Sequence, residues 1–425
     1  MFSHQKFVAT TAIESLALER ISPEVESGSA ADNIIVFPED GILFDLKDRE
    51  EVNKWAEDIP EPGVLPCLKE NVTTPLLANL SCMAQESHIY LVANIIDKKP
   101  CNTSDHGCPR DKIKYFNTNV AFDRNGTLVS RYHKNHLFVE PFMSPADPFE
   151  FAVFETDFNV RVGMFICFDV LFNESSRLVQ EHNVTLAVMS TWWFDQLPML
   201  YSVAVQQAWS LHNGIPLLAA GIQKPDRGSL GSGIFAGKRG PLNYTYSPDW
   251  QAKLLMADLT AETPRNPRYH GDVVEPRNRT LRYLDVSDHA AQELSASSGL
   301  SRVCLGDFCC TLSYEAPALH DKFVLLAKHG VERMANLLDA GIEQCILAVC
   351  ESTNRTLCTS FPTKSSTKFT RLQLTGETNG SSRPPPPNVG HLTLNQERGH
   401  GEEEHEAILQ VALYARLYKL DRFLH

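Results

Sequence analysis

The sequence has no apolar run approaching the roughly 18 residues of a membrane-crossing helix, so no membrane span is expected. Positive charge is scarce: 39 Lys and Arg against 52 Asp and Glu leave a formal net charge of −13. With no basic cluster to offset that balance, a nucleic-acid surface is excluded. The opening residues, MFSHQKFVATTAIESLALER, lack a charged segment followed by an apolar one. No signal peptide is read there, and a truncated start is expected. The ending, KLDRFLH, lacks the apolar tail that accompanies a lipid anchor, which favours a soluble product. No internal repeat is found. What remains is an ordinary globular composition, 43% hydrophobic and 21% charged over 425 residues, with room for two or three domains.

There are eleven cysteines, an even set plus one. Cys67 and Cys82 flank a short segment, and Cys101 and Cys108 close the loop CNTSDHGC. Six more fall late, at Cys304, Cys309, Cys310, Cys345, Cys350 and Cys358. The late group has no CxxC pair and no zinc spacing, so disulfides are expected rather than a metal, with their pairing open. Cys167 is left over, alone in the apolar stretch RVGMFICFDVLF. Ten asparagines begin N-x-S/T sequons: Asn71, Asn79, Asn102, Asn125, Asn173, Asn183, Asn243, Asn278, Asn354 and Asn379. Some arise by chance, but their density and the cysteines together predict a secreted, extracellular glycoprotein.

Along the chain, residues 5–12 suit a first strand. Residues 32–39, DNIIVFPE, read as a buried strand stopped by Pro38, with Glu39 at its C-terminal end. PLLANLSCMAQ reads as a helix, and residues 88–97 as a second buried strand. Residues 115–132 read as a hairpin turning at Asn125-Gly126, with Lys134 directly after it. Residues 151–158 start a strand pair leading into the Cys167 run, and FDVLFNESSRLVQEHNV beyond it has helical spacing. Residues 184–193 form another buried strand ending in aromatics. A helix over 204–213, a strand over 215–220, a Gly-rich hairpin and a closing segment over 251–259 follow. Strands alternating with helices over residues 1–262 define an α/β layer domain. Residues 270–425 hold six cysteines and four consecutive prolines, and read as a smaller β-rich domain held by disulfides. His400 and His405 sit in a charged loop and are taken as solvated.

Glu39, Lys134 and Cys167 each stand at a strand end, and they are expected to meet on the same side of one sheet. A thiol attacks a carbonyl as the thiolate. Glu39 can take the proton, Lys134 can stabilise thiolate and oxyanion, and the backbone N–H of Phe168 can donate to the oxyanion as well. Glu39 can then return the proton to the leaving nitrogen, which makes the set suited to amides. No metal and no cofactor is required. His133 and His136 are alternative bases, but the CGxCW string of papain-like enzymes is missing.

The strings IIVFPEDGI, RYHKNHLF and GMFICFDVLF resemble, in order and spacing, the three signature blocks of the nitrilase superfamily. AEDIPEPGVLPC, VANIIDKKPCNTSDHGCP, CFDVLF, GSGIF and CCTLSYE resemble more narrowly its vanin and biotinidase branch, over nearly the whole chain from about residue 32. The resemblance implies a four-layer αββα sandwich followed by the β-rich domain. It implies Cys167 as nucleophile, Glu39 as proton acceptor, Lys134 as donor or oxyanion stabiliser, and Glu140 as a second, positioning carboxylate. Trp192, Trp193 and Phe194 fall where the substrate pocket is expected. The implied substrate is a small amide, pantetheine or biocytin, cleaved without cofactor. A non-catalytic secreted glycoprotein that kept the fold is the rival from another class.

Overall fold

The computed structural model describes residues 6–10, 34–43, 46–68, 73–197, 201–246, 251–260, 268–269, 282–283, 286–350, 365–378, 394–396 and 410–424. The chain forms two compact units. The first comprises Met1–Phe194, Val205–Pro225 and Ser229–Asp272; the second comprises Asp195–Ala204, Asp226–Gly228 and Val273–His425.

The first unit holds two sheets. The six-stranded one runs, edge to edge, Leu254–Asp258 (β13), Lys6–Thr10 (β1), Ile34–Val36 (β2), Tyr90–Pro100 (β3), Ile113–Phe122 (β4) and Leu128–His133 (β5). The seven-stranded one runs Arg268–Tyr269 (β14), Pro241–Thr245 (β12), Ser232–Ala236 (β11), Pro216–Gly221 (β10), Leu186–Thr191 (β8), Arg161–Ile166 (β7) and Ala152–Glu155 (β6). Strands β1, β2 and β3 pair in parallel, as do β7, β8 and β10, while the hairpins at the sheet edges are antiparallel. The parallel strands are the ones that read as unbroken apolar runs. β8, LAVMST, is buried at every position, as a strand covered on both faces must be.

The two sheets face each other, β1 and β2 against β8, β10 and β11. Ser190 Oγ donates to the Phe37 carbonyl across the gap at 2.8 Å. Helices cover the outer faces. Pro75–Ser87 (α2, after Arg49–Trp55, α1) places Leu77, Leu80 and Ala84 in one cluster with Ile35, Leu91, Ala93, Val120 and Phe122. On the other side, Asn173–His182 (α3) brings Leu178 against Gly163, where an added Cβ would lie 3.3 Å from it and 2.9 Å from Val184. Trp209 of Tyr201–Asn213 (α4) packs on Phe165 with ring centroids 4.9 Å apart. The result is the expected αββα sandwich.

One expected helix is interrupted. Cys167–Leu171 is a 3-10 turn, Phe172 is extended, and only then does α3 begin. The Asp169 carboxylate accepts the Ile166 N–H at 3.1 Å, a local bond that competes with regular helix.

The second unit is β-rich, with two antiparallel sheets and one short parallel pair. One holds Ala290–Glu293 (β16), Phe323–Met334 (β19), Leu338–Val349 (β20), Gln410–Arg416 (β23) and Arg422–Phe423 (β24). The other holds Ser298–Leu305 (β17), Phe308–Glu315 (β18), Arg371–Thr378 (β21) and Leu394–Gln396 (β22). Gln196–Leu197 (β9) pairs with Arg282–Tyr283 (β15). Phe308, Leu312, Phe323, Leu347 and Leu374 share its core.

The disulfides resolve pairings the spacing left open. Cys304–Cys309 joins directly opposed residues of β17 and β18, and Cys310–Cys345 ties the two sheets together inside the core. Cys350 is also disulfide-bonded, while Cys358 lies outside the described residues. Cys67–Cys82 and Cys101–Cys108 close the two expected loops in the first unit. Cys167 is the free cysteine among the described residues. Of the sequons, Asn79, Asn102, Asn125 and Asn183 are exposed, whereas Asn243 is buried in β12 and is not a glycan site in this fold. Asn71, Asn278, Asn354, Asn379, His400 and His405 lie outside the described residues.

Candidate active site

Glu39 lies just beyond β2, Lys134 directly follows β5, and Cys167 directly follows β7. The first two strands belong to one sheet and the third to the other, which corrects the expectation of a single sheet. Here the strand ends of the two layers do meet across the gap, since the Trp192 N–H, just beyond β8, reaches Glu39 Oε2. Glu39, Lys134 and Cys167 are 3%, 1% and 4% exposed. A lysine directly after a strand would ordinarily be solvated; this one is enclosed.

The ammonium of Lys134 donates to Glu39 Oε1 at 2.6 Å and to Glu140 Oε1. Burial works against the charge on Lys134, but Glu140, Glu39 and Cys167 outweigh it and hold its pKa well above the ordinary lysine value. Glu140 is raised, because burial and the neighbouring Glu39 exceed the pull of Lys134 and Asn117. The backbone N–H of Phe138 donates to Glu140 Oε1 at 3.1 Å. Glu39 Oε2 accepts the backbone N–H of Trp192 at 2.8 Å, so one carboxylate is gripped from both sheets.

Cys167 has φ +46°, the left-handed region that a residue with a side chain seldom adopts, held by the turn beneath it. That turn is fastened by Asp169, which also accepts from Tyr132 Oη at 2.8 Å and from the His136 backbone N–H at 2.9 Å. One carboxylate thus joins the cysteine turn to the lysine loop. Burial raises the Cys167 thiol well above its ordinary pKa, with Glu39 adding to the rise and Lys134, Thr191 and the Trp192 backbone opposing it. Phe168, whose N–H is the expected second oxyanion donor, is buried in the same turn.

The alternative bases are engaged elsewhere. His133 lies between Asp97 at 2.8 Å and Glu150 at 3.4 Å, and His136 Nδ1 meets Asp169 at 2.9 Å while its ring stacks on Phe172. Of the expected pocket residues, Trp192 and Phe194 stack with centroids 5.6 Å apart. Phe194 reaches Phe138 at 6.3 Å and Phe138 reaches Phe168 at 5.1 Å, a wall of four rings leading to the cysteine turn. Trp193 is half-buried and not one of the four.

Phe138, Asp169, Asn94 and Asn117 were not foreseen. For the asparagines a signal existed: VANIID and YFNTNVAF carry amides inside apolar strands, where an unpaired polar group is costly. Among the described residues no cluster of His, Cys, Asp or Glu is set to hold a metal ion, and no helix is long and apolar enough to cross a membrane.

The family described as carbon-nitrogen hydrolase matches residues 18–268, and the one described as Vanin C-terminal domain matches residues 278–421. The sandwich with its enclosed thiol is accordingly that of an amidohydrolase, an enzyme that cleaves carbon–nitrogen bonds. More narrowly, the chain belongs to the carbon-nitrogen hydrolase family in its vanin and biotinidase branch. It is 36% identical to the pantetheinase of Mus musculus, over 83% of this chain and 71% of that protein. It is 33% identical to the pantetheinase of Homo sapiens, over 85% and 74%. To the biotinidase of Rattus norvegicus it is 44% identical over 48% of this chain and 40% of that one.

Proposed function

We propose that this chain hydrolyses pantetheine to pantothenate and cysteamine through a thioester on Cys167. The observation that carries the mechanism is the enclosed Lys134 ammonium on Glu39 at 2.6 Å, with the Cys167 thiol electrostatically coupled to both. The raised thiol is protonated at neutral pH, so attack needs a base, and Glu39 is the carboxylate whose charge it feels. As sulfur bonds to the amide carbon, Glu39 takes the thiol proton. The charge growing on oxygen falls to Lys134 and the Phe168 N–H. Thiolate leaves more readily than an amide anion, so the intermediate reverts unless Glu39 passes its proton to nitrogen. The amine departs, and Glu39 then activates water against the thioester.

Glu140 holds the ammonium and stays off the reacting atoms. Trp192, Trp193 and Phe194 contact the substrate. Residues 1–262 act as the catalytic domain and residues 270–425 as its β-rich companion. The substrate reading is supported by relatives named pantetheinase that match most of the chain. Disulfides and exposed sequons support secretion as a glycoprotein.

Cysteamine release from pantetheine is the test. Cys167→Ala should lower it at least about a thousandfold; equal release by both proteins ends the proposal. The 44% identity to a biotinidase favours one second reading, hydrolysis of biocytin. Parallel assays separate the two: faster turnover of biocytin replaces pantetheine as substrate and leaves the catalytic roles intact.

A further inference from the structure

Two carboxylates, Glu39 and Glu140, converge on one ammonium, and like charges in a buried space need fixed donors to coexist. Asn117 of β4, itself 3% exposed, supplies them: its Nδ2 donates to Glu39 Oε1 at 2.8 Å and to Glu140 Oε2 at 3.0 Å. An amide turned over about its last torsion would aim oxygen at both carboxylates instead. The neighbouring strand forbids that. Asn94 of β3, 2% exposed, donates its Nδ2 to Asn117 Oδ1 at 2.7 Å. Asn94 is oriented in turn by the backbone, because the Asp40 N–H donates to Asn94 Oδ1 at 2.9 Å and a peptide N–H has no reversed form. The same two Nδ2 hydrogens of Asn94 are shared with Asn119 Oδ1 at 3.1 Å and the Thr118 carbonyl at 3.3 Å. Asp40 adopts φ +51°, directly after Glu39, so the chain of bonds starts and ends on one turn.

We propose that Asn94 and Asn117 form a one-way amide relay, polarised by the Asp40 N–H, that keeps Glu39 and Glu140 both as acceptors around Lys134 and thereby positions Glu39 to exchange a proton with Cys167. This rests on the catalytic roles proposed above. Neither amide touches the thiol, so both are positioning residues. The charged and titratable groups facing Glu39 and Glu140 are Lys134, Cys167 and each other.

Asn94→Asp tests the direction of the relay. The new carboxylate still accepts the Asp40 N–H, but it cannot donate to Asn117. Asn117 then turns its NH2 group toward that carboxylate and its oxygen toward Glu39. A carboxylate that loses a donor and gains a facing oxygen binds its proton more tightly, so the base is lost at higher pH. The acid limb of kcat/KM for pantetheine should move up by about one unit. The rate constant kcat should fall by about a hundredfold with KM nearly unchanged. Alkylation of Cys167 by iodoacetamide, followed against pH without substrate, should move its lower limb in the same direction. If Asn94→Asp does not fold, Asn117→Ala removes the same donor and is read by the same two profiles. Profiles that stay at the wild-type position in a folded variant overturn the relay. An alkylation profile that moves in the variant, while the wild-type protein releases no cysteamine, retains the relay and discards the substrate instead.

Discussion

Each unit of the molecule encloses a lysine, and the two differ in what surrounds them. Lys134 is 1% exposed and meets two carboxylates that are themselves enclosed, with side chains 4% and 15% exposed. Lys328, on β19 of the second unit, is 5% exposed, yet its partner Asp288 is 56% exposed. The second pair has one end in water, through Asp288, while Lys328 itself is enclosed and also faces Glu332. The first is enclosed together with its partners and depends on them. Cysteine divides the same way. Cys310 and Cys345 are spent as a crosslink inside a core, whereas Cys167 is enclosed, unbonded and held on a left-handed turn. Burial of a charge or a thiol is therefore not what marks the site. The mark is an enclosed charge whose partners are also enclosed, next to a thiol that the fold keeps unpaired.

The largest expected effect breaks that contrast or upholds it. Lys134→Met leaves Glu39 and Glu140 without a cation, and should destabilise the first unit by about 3–5 kcal/mol. It should also cut pantetheine turnover about a thousandfold. Lys328→Met leaves Asp288 in water but also takes an opposing charge from the buried Glu332, so it should cost less than Lys134→Met, with turnover unchanged. Urea unfolding and cysteamine release on both variants check this; equal losses would erase the distinction.

Next come the crosslinks. Replacing Cys310 and Cys345 together by alanine opens a loop with a sequence separation of 35, which should lower the stability of the second unit by about 3–4 kcal/mol. The same change at Cys304 and Cys309, separated by 5, should cost about 2 kcal/mol. Unfolding midpoints rank the two, and turnover per folded molecule should stay at the wild-type level.

The smallest effect concerns pH. Burial lowers the proton affinity of His133, but Asp97 and Glu150 outweigh it and raise its pKa above 6.5. A raised base contributes stability that is whole below its unfolded value and fades as pH rises through the folded one. Glu150 is lowered from 4.5, chiefly by its hydrogen bond with His133. Its contribution is present above that value and fades as pH falls through the lowered one. The pair should therefore add most between the two windows. His133→Asn should flatten the dome in urea midpoints measured from about pH 4 to about pH 8; an unchanged dome would show that the pair carries no linkage.

Much of this was legible in residue order. β8 and the Asn125-Gly126 hairpin follow from apolar runs and turn chemistry. Cys167 stood apart by cysteine arithmetic alone. The helix after it starts later than its spacing suggests, because a spacing pattern does not show that Asp169 will bond backward to Ile166. The wall of rings was half seen: Trp192 and Phe194 lie in one aromatic string, but Phe138 joins them from a different loop.

By itself the sequence determined which segments become strands, that one thiol is left without a partner, and which family the chain belongs to. Those properties are local, or sit in short strings, because apolar periodicity and turn propensity act over a few residues. Tertiary structure decided that the acid and the amine come from one sheet and the sulfur from the other. It also decided that Asn94 and Asn117 face inward to serve two carboxylates. The Asp40–Asn94 bond spans 54 residues and the Asn117–Glu39 bond spans 78, and contacts of that kind exist only once β2, β3 and β4 lie side by side.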